Sequence, residues 1–102
     1  MDAAVKEKWV SALRSGEFKQ GRRSLKTNMP DGSCVLCCLG VLAILQHKMT
    51  NHDPYEAVAK LIGCGGGGGN PRWRAPIKAL IDMNDTEKKS FTQIADWIEA
   101  NL

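Results

Sequence analysis

Apolar positions along the chain fall into four helical stripes and one unbroken run. Val5, Trp9 and Leu13 recur four residues apart, which predicts a helix over about residues 3–15 with one apolar face. Asp2 precedes it as a cap and Gly16 follows as a stop. Tyr55, Val58, Leu61 and Ile62 form a second stripe. Asp53-Pro54 starts that helix, because Asp caps free N–H groups and Pro suits the first helical position; Gly63 ends it. Ile77, Leu80 and Ile81 mark a short helix opened by Pro76 and stopping around Asn84-Asp85. Phe91, Ile94, Ala95, Ile98 and Leu102 mark the last helix, from 91 to about 101, and Ser90 with Gln93 matches a capping box at its start.

The unbroken run is Cys34 to Leu45, twelve residues without a charge. It must be buried, and it is too short for a bilayer, which needs about 20 apolar residues. Met29-Pro30-Asp31-Gly32 just before it is a turn: Pro fixes φ, Asp bonds locally and Gly accepts positive φ. Residues 22–28 and 33–38 on either side read as an antiparallel hairpin. On its second strand Cys34, Leu36 and Cys38 would face one way, Val35 and Cys37 the other, so both faces are apolar and covered. From about Leu39 to His47 or Lys48 the pattern suits a helix buried on most of its surface, with a continued strand as the alternative. Gly40 weakens that helix by up to ~1 kcal/mol and points instead to a close backbone approach. The expected architecture is α+β: a basic antiparallel hairpin packed by four to five short helices. It forms a single domain over residues 1–102, with a flexible Gly-rich loop at 64–70.

Charge refines this picture. The net charge is only +3, but residues 1–28 hold seven Lys/Arg against three acids, and residues 82–102 hold five acids against two lysines. A basic N-terminal surface and an acidic C-terminal one are expected, with Asp96 and Glu99 on a solvated helix face. The first residues lack an apolar signal region and no stretch qualifies as a membrane span, so the four cysteines are expected as free thiols in a reducing cytoplasm.

Cys34-x2-Cys37-Cys38, with His47, His52 and Cys64 downstream, has the inventory of a zinc site. Residues three apart on a strand face opposite ways, so buried apolar cysteines are the better expectation. Cys38 at a helix N-terminus, with His47 or His52 as base, would suit thiol catalysis. No third, orienting residue is identifiable and the surroundings are apolar. Asn70-Pro71 after the glycines of 65–69 replaces the Lys-Ser/Thr of a phosphate loop. No metal, no cofactor and no catalytic set is therefore expected: the chain reads as a binding protein rather than an enzyme. The binding candidates are Lys19, Arg22, Arg23 and Lys26, within eight residues, together with Arg72-Trp73-Arg74. Arg and Trp are enriched at binding hot spots and can stack on bases. The expectation is one surface for an acidic protein partner or an anionic ligand, nucleotide and nucleic acid included. Trp97, at the edge of its stripe, is a candidate dimer or partner contact.

Three segments carry a resemblance. Ala12-Leu13-Arg14-Ser15-Gly16 with Gln20-Gly21, Cys37-Cys38-Leu39-Gly40-Val41-Leu42, and Asn84-Asp85 followed by Ser90-Phe91-x-x-Ile94-Ala95-x-x-Ile98-Glu99 resemble small proteins of bacteriophages and prophages, mostly without assigned function. The match omits the region from Met49 to Pro76, and the glycine run departs from the pattern. The resemblance implies phage origin, action in the host cytoplasm, and a small accessory protein that binds and disables a host factor. An anti-phage defence component, such as a CRISPR effector or a nucleotide-signalling system, is the implied target. A stoichiometric inhibitor needs a surface and no active site.

Overall fold

The computed structural model describes residues 1–46, 54–63 and 73–102. The elements run α1 (Ala3–Ser15), β1 (Lys26–Asn28), β2 (Cys34–Leu36), α2 (Cys38–Leu45), α3 (Pro54–Ile62), α4 (Ile77–Ile81) and α5 (Phe91–Asn101). The architecture is α+β, with a two-stranded antiparallel hairpin and five α-helices among the described residues. The Cα radius of gyration, 12.6 Å, is that of one packed unit of about 100 residues.

The first and last helices begin and end where local chemistry dictates. The Asp2 carboxylate accepts from Val5 N at 3.0 Å, and Gly16 closes α1 at φ 80°. Ser90 and Gln93 form the complete reciprocal box on α5. Pro54 opens α3, and Gly63 follows it at φ 100°; Asp53, its expected cap, lies outside the described residues. Lys26 pairs with Leu36 and Asn28 with Cys34. The turn closes through Met29 N to Ser33 O at 2.8 Å, while the Asp31 carboxylate accepts from the Ser33 N–H and hydroxyl. Those two bonds stabilise the charged form and lower the Asp31 pKa.

Helix α2 is the centre of the core: Cys38, Leu39, Gly40, Val41, Leu42 and Ala43 are all buried. Trp9, Leu13, Val58, Ile77, Leu80, Ile94 and Ile98 pack around it from the other helices. The Trp9 indole donates from Nε1 to Cys38 O at 2.8 Å, so its one polar atom is satisfied inside the core. Gly40 is the close approach that the sequence suggested: a Cβ there would collide with the Leu25 carbonyl.

Three expectations are corrected. The second strand stops at Leu36, because Cys37 turns to cap α2 and its Sγ accepts from Gly40 N at 3.4 Å; Cys38 is therefore a helical residue, not a strand residue. The fourth helix does not stop at Asn84-Asp85 but widens into a π-helical segment, Asp82–Thr86. The basic and acidic surfaces are not separate. Helix α1 packs on α5, and Arg14 Nη2 lies 2.6 Å from carboxylate oxygens of both Asp96 and Glu99. Lys6 Nζ adds a bond to Glu99 O at 3.2 Å. Trp97 is half-buried against the core, and no described helix is long and apolar enough to cross a membrane.

Candidate functional site

The segment between α1 and the hairpin, with Lys26 opening β1 directly after it, carries Lys19, Arg22 and Arg23 of the predicted binding residues. It is held along β2, where Leu36 N donates to Lys19 O at 2.9 Å and Gly21 N donates to Leu36 O at 2.7 Å. Gly21 is required there, since a Cβ would lie 2.6 Å from Val35 Cγ2. Lys19, Arg22, Arg23 and Lys26 are all exposed. Among the described residues, none of the four forms an ion pair.

Beneath this segment sits Asn84, a polar side chain of 0 % exposure in an apolar core. Its Oδ1 accepts from Gln20 Nε2 at 2.9 Å and from Cys38 N at 3.3 Å. Its Nδ2 donates to Gly21 O at 2.8 Å and to Asp85 Oδ1 at 2.8 Å. Asp85 Oδ1 also accepts from Arg23 N at 2.9 Å, and Gln20 Nε2 donates to Lys89 O at 2.8 Å. Both lone pairs and both amide hydrogens of Asn84 are used, which is the condition for a buried amide to stabilise rather than cost. The π-helical widening presents Asn84 and Asp85 to this segment, in keeping with the use of π turns at special positions. Arg23 has φ 69°, a left-handed conformation that costs a non-glycine residue roughly 1–2 kcal/mol. The Asp85 bond to its N–H holds it there.

The described part of the second predicted segment, Trp73-Arg74, is anchored on α3. Trp73 stands just ahead of α4 and is 71 % exposed. Arg74 is turned onto α3: its Nη1 lies 3.1 Å from Glu56 Oε2 and its side chain is 14 % exposed. Its guanidinium charge is thus engaged within the fold. Trp73 and Arg74 precede α4, whereas Arg23 docks on the π-helical segment that follows α4. Arg72 lies outside the described residues, as do His47, His52, Cys64 and the glycines of 65–69.

The thiols are placed against reactivity. Cys38 does sit at a helix N-terminus, but it is fully buried, and desolvation raises its pKa well above the usual thiol value. The lowering expected from the helix terminus is overridden. Burial likewise pushes Cys37 up to about 11, against the smaller opposing effect of the Gly40 N–H. Among the described residues no three His, Cys, Asp or Glu side chains converge on a metal-sized point.

Sequence reasoning missed the role of Asn84, the bridging by Gln20 and the proximity of Lys89. The signal was present: Gln20-Gly21, Cys37-Cys38 and Asn84-Asp85 belong to the three segments of the resemblance, and these are the residues that meet in space.

Fold and site together define a small α+β protein with an exposed cationic segment fastened to a buried amide. Residues 1–62 match the model of a family described as a domain of unknown function, DUF8296. That is more than half of the chain, and the chain belongs to this family. No curated protein and no solved structure matches it. The hydrogen-bond network joins the matched part, through Gln20, Gly21, Arg23 and Cys38, to Asn84, Asp85 and Lys89 outside it.

Proposed function

We propose that this is a phage-encoded binding protein that occupies a surface of a host protein and disables it. The proposed target is a component of an anti-phage defence system, such as a CRISPR effector or a nucleotide-signalling enzyme. One observation carries the binding role: Lys19, Arg22, Arg23 and Lys26 are exposed without ion-pair partners among the described residues, on a segment fixed by a buried network. Fixing a charged surface before contact lowers the entropy lost on binding. Unpaired surface cations speed encounter with an acidic partner. Phage origin and the defence target rest on the resemblance of the three sequence segments.

A challenge assay tests the reading. Bacteria carrying a defence system are infected while expressing either the wild-type chain or R22E/R23E. Wild type is expected to restore plaque formation and the charge-reversed variant to lose that effect. Equal plaque counts with wild type and empty vector across CRISPR and nucleotide-signalling systems would count against the reading. The second reading is a nucleotide- or nucleic-acid-binding module, favoured by the same cations. It would show as binding that falls steeply with salt.

A further inference from the structure

We infer that the partner-binding surface is built from two loops, residues 17–26 and residues 85–89, and that it takes an acidic segment of a partner protein. Sequence separates these loops by more than 50 residues. The structure fastens them together directly at two points, Gln20 Nε2 to Lys89 O at 2.8 Å and Arg23 N to Asp85 Oδ1 at 2.9 Å, and Asn84, just ahead of the second loop, donates from Nδ2 to Gly21 O at 2.8 Å. Lys88 and Lys89 thereby join Lys19, Arg22, Arg23 and Lys26. Among the described residues Lys88 is exposed and makes no ion pair, and the Lys89 ammonium pairs with Glu87 at 3.6 Å.

The charge distribution singles out this surface. The two loops carry six Lys/Arg and three acids (Glu17, Asp85 and Glu87), so they hold the whole net charge of +3. The rest of the chain is balanced at eight against eight. Elsewhere Arg14 pairs with Asp96 and Glu99, Arg74 with Glu56, and Lys78 with Asp82, while Lys8 and Lys60 stand singly, exposed and without an ion pair among the described residues. Each loop also holds one non-glycine cation in the left-handed region, Arg23 at φ 69° and Lys88 at φ 55°. Such backbone persists only where the surroundings fix it, and it concentrates at functional surfaces.

The chemistry favours a protein over a nucleic acid. Neither loop displays an exposed aromatic ring for base stacking, since Phe18 packs against the core. Glu17 and Glu87, both exposed, would repel a continuous phosphate backbone, whereas a mixed-charge patch matches the polar rim of a protein interface.

This surface rests on the binding role proposed above, and a titration of the isolated full chain separates the two. The amide spectrum of the 15N-labelled protein is followed while decaglutamate peptide is added, then in a separate sample decathymidylate. Amides of residues 17–26 and 85–89 are expected to shift together with decaglutamate. K88E and R22E should each weaken binding about threefold or more, and K60E on α3 should leave it unchanged. The two-loop surface is overturned by shifts confined to 17–26, by K88E behaving like K60E, by no binding of decaglutamate, or by tighter binding of decathymidylate. Success here with failure of the challenge assay would remove the inhibitor reading and leave the surface standing.

Discussion

Asn84 makes four hydrogen bonds with an amide that can make four, and it does so where water cannot replace any of them. Replacing it by alanine leaves the Cys38 N–H and the Gly21 carbonyl buried without this partner. A buried donor or acceptor left unmade costs about 1–3 kcal/mol, so N84A should destabilise by roughly 2–4 kcal/mol in urea unfolding with an unchanged m-value. N84A should also loosen the 17–26 loop, seen as faster amide exchange at Gly21 and Arg23. Arg23 predicts the opposite sign. Glycine adopts φ 69° without the penalty a side chain incurs, so R23G should stabilise by up to about 1 kcal/mol, while R23A should not.

At the scale of elements, helix α2 shows what sequence could and could not disclose. Its burial was legible in twelve uncharged residues, as were both caps of α1, the box on α5 and the turn at residues 29–32, because those signals are local. The point where β2 gives way to α2 was not. An apolar run does not fix its own period, and the decision falls to Cys37 acting as a cap and to Leu25 lying against Gly40. G40A should therefore cost about 1–3 kcal/mol through overpacking on Leu25, although alanine is the better helix former. The π-helical widening was illegible for the same reason: it is set by contacts to Gly21, Gln20 and Cys38, which are remote in sequence.

The start of α2 also predicts a pH dependence. Cys37 is held at about 11 in the folded protein, against 9.0 for an ordinary thiol. Its protonated form is the one the fold accommodates. Above about pH 9 the unfolded chain loses this proton first, so stability present below that pH declines as pH rises toward 11. Unfolding midpoints measured across this window should fall with pH, and less so in C37A. At pH 8, Cys37 and Cys38 should resist a thiol reagent until denaturant is added, with half-buried Cys34 reacting first among the three.

For the whole molecule, the exposure of one cationic segment was legible in the sequence and the long-range pairing around it was not. Lys19, Arg22, Arg23 and Lys26 are where a cationic surface was expected, while Trp73 and Arg74 precede α4 and Arg74 is engaged by Glu56. Long-range pairing decided the difference. The acidic C-terminal helix neutralises Arg14 of α1, and the net charge of +3 falls on residues 17–26 and 85–89. The most direct measurement is co-purification of the tagged chain from a bacterial host, with wild type and R22E/R23E processed side by side and bound proteins quantified by mass spectrometry. The account predicts a host protein recovered in near-stoichiometric amount with wild type and lost with the charge-reversed variant. Recovery of the same proteins with both, or of nucleic acid in place of protein, would contradict it.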